Sequence, residues 1–134
     1  MSDDSLKQTI LANAEEIRRL NARIGETRLL GQPGRTREWQ QACEAFHASY
    51  DTLAFPGGYD GALERLKASD PATIAAALCF LEVRPFFFRS GYMFKDILRK
   101  VKRAALNRQQ AERLDRIVIA YDAYRVKRRR RSVA

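Results

Sequence analysis

The chain has 134 residues, a formal net charge of +9 and 46% hydrophobic residues. A chain of this length fits one domain that can bury about two-thirds of its unfolded surface, which excludes a multidomain assembly and makes a disulfide framework unnecessary. Cys43 and Cys79 are expected to be reduced thiols in a cytoplasmic protein, because the first residues lack the pattern of a secretory signal. The longest apolar run, at 74–81, is far below the roughly 20 residues that cross a bilayer, so no transmembrane segment is predicted.

Charge is distributed unevenly along the sequence. Residues 1–82 carry 9 basic and 12 acidic side chains, whereas residues 83–134 carry 16 basic and 4 acidic ones. This asymmetry concentrates positive potential at one end and favours an anionic partner such as nucleic acid, an acidic membrane surface or an acidic protein. The same charge could also serve solubility alone, and the sequence leaves both interpretations open.

The predicted elements begin with a long helix from about Ser5 to Leu30. Glycine and proline are few, 7 and 4, and they separate segments with helical spacing, which indicates an all-α fold. The apolar stripe of the first helix contains Leu6, Ile10, Ile17, Leu20 and Ile24, with Asn13 among them. Such a stripe is either a core face or the seam of a homodimer in which Asn13 would fix the register. GQPG at 31–34 is expected to end the helix.

Three further helices are predicted in the middle of the chain. The second begins near Thr36 and presents an aromatic face that includes Trp39 and Phe46, and FPGG at 55–58 ends it. A short helix covers about 60–68. Asp70 and Pro71 then supply a cap and a first helical position for ATIAAALCFLEV, which is apolar nearly all round. That fourth helix is therefore predicted to be the most buried element.

Two helices complete the predicted fold. The fifth covers about 92–105, and Asn107 with Gln110 forms a capping-box pattern that opens the sixth. Six helices joined by short turns predict a bundle or a stack of helical hairpins, with a single domain over 1–126 and a basic tail over 127–134.

Two stretches resemble known patterns. LERLKASDPATIAAALCFLEV resembles one unit of a HEAT-type helical repeat, but no clear second copy follows, so the resemblance implies a hairpin style of packing. FPGG, FLEVRPFFFRSGY and LRKVKRAAL together resemble a pattern of small bacterial helical proteins over roughly residues 50–115. This second resemblance implies no activity and no catalytic residue.

The sequence offers little for catalysis or metal binding. Cys43 and His47 share a helix face, but a zinc site needs two further ligands, and the chain has no CxxC and no second histidine. No phosphate-binding GxxxxGK[ST] or GxGxxG motif occurs. The sequence therefore predicts no enzyme, no metal and no cofactor, with Cys43 belonging to the aromatic face of its helix.

Basic residues form two candidate anion-binding sets. On the fifth helix, Lys95, Arg99, Lys102 and Arg103 lie on one arc of about 100°, opposite an apolar face. Their mutual repulsion would become binding affinity if a phosphate backbone neutralised them. The second set is Lys127, Arg128, Arg129, Arg130 and Arg131. These surround the helix axis and are predicted to be exposed, and poorly ordered until an anion binds.

Phe86, Phe87 and Phe88 are consecutive, and no regular backbone aims three successive side chains the same way. With Arg84, Arg89 and Tyr92 close by, the segment has the aromatic and basic interleaving that stacks on unpaired bases. It could instead be an aromatic plug between two helices. In that role Gly91 would supply an unusual backbone conformation, and Arg89 would pair with Glu82 or another acid.

The functional expectation is a non-catalytic helical binding protein. Its basic C-terminal half is expected to contact nucleic-acid backbone without strong sequence preference. The alternative is a protein-interaction module, either a homodimer or an adaptor for an acidic protein. It would use the stripe of the N-terminal helix or the turn at Phe86–Phe88.

Overall fold

The computed structural model describes residues 2–30 and 36–133. These residues form six α-helices and no strand, which confirms the all-α prediction. The helices are α1 (Asp3–Leu30), α2 (Arg37–Ala54), α3 (Ala62–Lys67), α4 (Pro71–Val83), α5 (Ser90–Val101) and α6 (Arg108–Val133). The predicted stop at 31–34 lies outside the described residues.

Helix α4 lies at the centre of the fold. Eight of its 13 residues are buried, and it packs against α1, α3, α5 and α6. Its start follows the local rules, since the Asp70 carboxylate accepts a hydrogen bond from the Thr73 amide at 3.0 Å and Pro71 takes the first position. A helix that is apolar on every side gains hydrophobic free energy only when other helices surround it. The sequence prediction for this element is confirmed.

Helix α1 packs along α2 and α4. Ile10 and Ile17 of its apolar stripe are buried, and Leu6, Leu20 and Ile24 are partly buried against the same core. The stripe is therefore a core face covered within the chain. It does not form an exposed seam.

The FPGG turn between α2 and α3 requires its glycines. Gly57 and Gly58 have φ of 83° and 89°, a region that side chains other than glycine rarely adopt. A Cβ on Gly58 would lie 3.0 Å from a carboxylate oxygen of Asp51. That carboxylate also accepts a hydrogen bond from the Asp60 amide at 2.7 Å, so Asp51 holds the turn against the end of α2.

The boundaries of α5 differ from the sequence prediction of 92–105. The helix begins two residues earlier, where the Ser90 hydroxyl accepts a hydrogen bond from the Phe87 amide at 3.0 Å. It ends at Val101 because the chain then turns, and the Ala105 amide donates to the Ser69 hydroxyl at 2.9 Å. Both boundaries depend on hydrogen bonds that cannot be predicted from the helical spacing of apolar residues in the sequence.

Helix α6 begins as predicted and continues further than predicted. Asn107 and Gln110 exchange two hydrogen bonds of 2.9 Å, each side chain accepting from the other's amide. Where the sequence suggested a separate tail from residue 127, α6 runs to Val133. Lysine and arginine are good helix formers, and cations near a helix C-terminus interact favourably with its dipole. The basic residues thus lie on a continuous helix.

No helix in the described part of the chain combines the length and apolar character that crossing a membrane requires.

An ion network joins the first and last helices to α4. Arg113 of α6 contacts the Asp3 carboxylate at 2.9 Å and the Glu82 carboxylate at 3.1 Å, and Lys7 lies 3.5 Å from Glu82. The Arg113 and Glu82 side chains are 19% and 22% exposed, so water screens this pair less than a surface pair. Burial raises the pKa of Glu82, but hydrogen bonds and charge from Arg113 and Lys7 outweigh burial and lower its pKa overall.

We expect Arg113→Met to reduce the free energy of unfolding by about 2 kcal/mol at neutral pH, because Glu82 loses its main partner. The Glu82 pKa in the folded protein lies below its unfolded value of about 4.3, so its contribution is present above that pH and is lost as the pH falls through the folded pKa. The difference in unfolding free energy between wild type and variant should therefore become smaller as the pH falls. Urea unfolding from about pH 7 to pH 3 measures it.

Arg108→Met is the matched control. Arg108 lies on the same helix, before Arg113, and makes an exposed ion pair with Glu112. Its effect should stay below about 0.5 kcal/mol at every pH. A stability difference for Arg113→Met that does not change with pH would contradict the assignment of the effect to Glu82.

Candidate nucleic-acid interface

Helices α5 and α6 and the turn 84–89 enclose a groove with two adjoining parts. The first part, of about 780 Å³, is lined by Lys95, Leu98, Arg99, Lys102, Tyr121, Tyr124, Arg125, Arg128 and Arg129. The second part, of about 930 Å³, is lined by Arg84, Pro85, Phe86, Phe87, Arg89, Ser90, Gly91, Tyr92, Phe94, Lys95, Tyr121, Tyr124, Lys127, Arg128 and Arg131. Because four residues line both parts, we treat them as one surface, the basic groove.

The basic groove is cationic throughout. Ten of its lining residues are lysine or arginine, and none is acidic. Arg99 forms a 3.2 Å ion pair with Asp96, so this carboxylate offsets one of the ten positive charges. Among the described residues, no ion pair forms with Lys95, Lys102, Lys127, Arg129 or Arg131. Within residues 2–30 and 36–133, at least these five cations of the groove therefore have no carboxylate in an ion pair.

One wall of the groove is the C-terminal half of α6. Every residue from Asp122 to Arg131 is exposed, whereas Ile117 is buried and Tyr121 half-buried. Helix α6 therefore extends past the core after Tyr121. A helix that leaves the core offers its side chains to an outside partner on a rigid support.

A cation-aromatic cluster of Arg84, Phe94, Tyr121, Tyr124 and Arg125 lies at the centre of the groove. The Arg84 guanidinium carbon is 3.4 Å from the centroid of the Tyr124 ring and 5.4 Å from the centroids of Phe94 and Tyr121. The Phe94 and Tyr121 ring centroids are 4.8 Å apart. The Arg125 guanidinium carbon also lies over the Tyr121 ring, 5.7 Å from its centroid. These contacts attach α6 to α5 and to the end of α4 at the point where α6 leaves the core.

Arg84 and Arg89 bracket the triple-phenylalanine turn in left-handed backbone conformations, with φ of 51° and 68°. Glycine is favoured after a helix end such as α4, so an arginine there costs backbone free energy. The expectation that Gly91 would supply the unusual backbone was wrong, because Gly91 lies inside α5 without a positive φ. The left-handed residues are the two arginines, and both lie over aromatic rings.

The expected pairing of Arg89 with Glu82 was also wrong. Glu82 is held by Arg113 and Lys7, whereas the Arg89 guanidinium carbon lies 5.4 Å from the centroid of the Phe88 ring. Arg89 therefore keeps its charge on the groove side of the molecule.

The three phenylalanines point in different directions. Phe87 is buried, with ring centroids 6.1 Å from Tyr50 and 6.3 Å from Phe80. Phe88 is half-exposed against Phe46, and Phe86 is 77% exposed. The buried Phe87 fits the prediction of an aromatic plug, whereas stacking of bases on the exposed Phe86 stays a prediction.

Two helices fix the backbone of this turn. Arg18 of α1 donates a hydrogen bond to the Phe86 carbonyl at 2.6 Å, and the Tyr50 hydroxyl of α2 donates to the Phe88 carbonyl at 2.6 Å. Burial raises the pKa of Tyr50 although the charge of Arg89 opposes it, so the hydroxyl keeps its proton and remains a donor. The exposed Phe86 ring is therefore held on a fixed backbone.

The structure brings together most of the predicted site residues. Lys95, Arg99, Lys102, Arg128 and Arg129 line the first part of the groove, and Phe86, Phe87, Arg89, Tyr92, Lys127 and Arg131 line the second. Arg103, Arg130 and Phe88 line neither part. Sequence reasoning placed Arg84 near the three phenylalanines without connecting it to α6, and it missed Tyr121, Tyr124 and Arg125 as site residues. The spacing of Tyr121, Tyr124, Arg125 and Arg128 at i, i+3, i+4 and i+7 was the available signal for α6.

Cys43 is half-buried and His47 is exposed at the edge of the Phe46 ring. No group of three or more His, Cys, Asp or Glu residues that could hold a metal ion occurs within residues 2–30 and 36–133.

Comparison of the chain with family models, with curated proteins and with solved structures found no match in any of the three. The resemblance to small bacterial helical proteins therefore stays a prediction. The functional argument depends on the groove alone.

Two substitutions at Arg84 separate its side chain from its backbone. Arg84→Ala removes the stacking on Tyr124 but keeps the left-handed conformation, so we expect a loss of about 1–2 kcal/mol in unfolding free energy. Arg84→Gly also removes the stacking but relieves the backbone cost, and should be about 1 kcal/mol more stable than Arg84→Ala. Urea unfolding measures both.

The controls are Arg116→Ala and Arg116→Gly on the exposed face of α6. Here the glycine variant should be about 1 kcal/mol less stable than the alanine variant, because glycine is unfavourable inside a helix. Equal stabilities of the two Arg84 variants, or a more stable alanine variant, would contradict the proposed backbone cost.

Proposed function

We propose that this chain is a non-catalytic binding protein whose basic groove contacts the backbone of a nucleic acid. The observation that carries the proposal is the set of ten lysines and arginines that line one groove without a single acidic residue. Like charges held this close repel one another, and a polyanion converts the repulsion into affinity while counterions are released from the phosphates.

The lining residues favour binding without strong sequence preference. Asparagine and glutamine, which read adenine through two hydrogen bonds, are absent from the groove. Arginine and lysine contact phosphates readily, and phosphate contacts position a protein without carrying sequence information. Affinity should therefore depend on charge and salt more than on base composition.

A cytoplasmic location is part of the proposal. Cys43 and Cys79 are free cysteines, which suits a reducing compartment. Burial raises the pKa of the Cys79 thiol, which keeps it protonated and unreactive.

Neutralising three groove residues tests the proposal. Lys95→Gln, Lys102→Gln and Arg129→Gln together should weaken binding of a fluorescein-labelled oligonucleotide at least tenfold at about 50 mM salt. The slope of log affinity against log salt should become shallower by about 2, at about 0.7 per lost phosphate contact for a single strand. Fluorescence anisotropy across a salt series gives both quantities.

The matched control carries Arg28→Gln, Lys67→Gln and Arg116→Gln. These residues are exposed, lie outside the groove and change the net charge by the same amount. The control should keep most of the affinity and the salt slope. The absence of binding by wild type at about 50 mM salt, or equal losses in the two triple variants, would overturn the proposal.

A second candidate is a partner protein with an acidic surface. The observation that favours it is the exposure of Phe86 and Tyr92, at 77% and 72%, because interfaces are enriched in aromatic residues and arginine. The stripe of α1 does not favour the homodimer variant, since its residues lie in the core. Co-purification of an acidic protein that Phe86→Ser releases would favour this candidate over nucleic acid.

A further inference from the structure

The turn end of the basic groove carries two aromatic rings that serve no packing purpose within the described chain. Phe86 and Tyr92 are 77% and 72% exposed, and neither ring pairs with another aromatic ring among the described residues. Both line the second part of the groove beside the cations of α6.

The backbone that carries the Phe86 ring is held by contacts with the rest of the fold. Arg18 holds the Phe86 carbonyl at 2.6 Å, and Phe87 on the next residue is anchored in the core. Because the main chain at Phe86 is already held, stacking of a flat partner on the ring requires no further ordering of the backbone. Arg89 contacts the Phe88 ring and lines the same part of the groove as Phe86.

We infer that the groove takes single-stranded nucleic acid, with unpaired bases stacked on Phe86 and Tyr92 and the phosphates following the cations of α5 and α6. This inference rests on the proposed function and names its substrate class. Base faces in a duplex are covered by their neighbours, whereas an unpaired strand leaves them free for aromatic side chains. Stacking also tolerates any sequence, because every base has a π-face.

The dimensions of the groove set the length of strand it can hold. From Tyr121 to Arg131 the axis of α6 advances about 15 Å at 1.5 Å per residue. At about 3.4 Å per nucleotide, the spacing along one strand of a duplex, this length accommodates at most about four or five nucleotides. Phe86 and Tyr92 line the same part of the groove as Lys127 and Arg131, so the bases stacked on them belong to these four or five nucleotides.

The test compares strands and duplexes on the full chain. Labelled oligo-dT and oligo-rU of about 4, 8 and 16 nucleotides, together with a fully paired DNA duplex, are titrated by fluorescence anisotropy at one salt concentration. We expect affinity for the single strands to rise from about 4 to about 8 nucleotides, and single strands of about 16 nucleotides to bind at least tenfold tighter than the duplex. The dT and rU arms show whether the strand is DNA or RNA, and preference for either supports the inference.

The double variant Phe86→Ser, Tyr92→Ser should lose about tenfold or more in affinity for single strands while its affinity for duplex stays unchanged. Ile119→Ser is the matched control, because Ile119 is 69% exposed on α6 and lies outside the groove. It should bind like wild type. All three substituted positions are exposed, so we expect the variants to fold like wild type, and circular dichroism of each variant verifies the helical content.

Two outcomes separate this inference from the function on which it rests. Equal affinity for duplex and single strand, or a double variant that binds single strands like wild type, would overturn the single-strand inference and leave backbone binding intact. A wild-type protein that binds none of the oligonucleotides would overturn both.

Discussion

The fold depends on the burial of α4 from every side. A helix without a polar face needs neighbours on several sides, and α1, α3, α5 and α6 together bury eight of its 13 residues. This constraint turns the apolar faces of α5 and α6 inward and leaves their basic faces on the surface. It also places the end of α4, and with it Arg84, where those two basic faces meet. The position of the groove is thus a consequence of how the core is built.

The charge of the groove follows from the same arrangement. Twelve of the 16 acidic residues precede position 83 in the sequence. The acids that engage the second half most closely, Asp3 and Glu82, are occupied by Arg113 at the other end of α6. The C-terminal half of α6 therefore leaves the core with many cations and few carboxylates. Stacking of Arg84 on Tyr124 stabilises this region by a contact that needs no opposite charge.

Local chemistry determined what could be predicted from the sequence. The cap at Asp70, the capping box at Asn107 and the burial of α4 depend on residues within a few positions of one another, and the structure has all three. The cation-aromatic cluster could not be predicted, because Arg84 and Tyr124 are brought together by the packing of separate helices. The left-handed conformation was expected near Gly91 but belongs to Arg84 and Arg89, since helix ends are set by hydrogen bonds as well as by residue type.

The most direct test of the account locates the bound strand on the protein. In a titration of isotopically labelled protein with an oligo-dT of about eight nucleotides, backbone amide chemical shifts report which residues sense the ligand. The account predicts that the large changes map to 84–102 and 121–131, the segments that line the basic groove. Changes confined to α1 and α2, or no changes at low salt, would contradict the claim that this groove is a nucleic-acid interface.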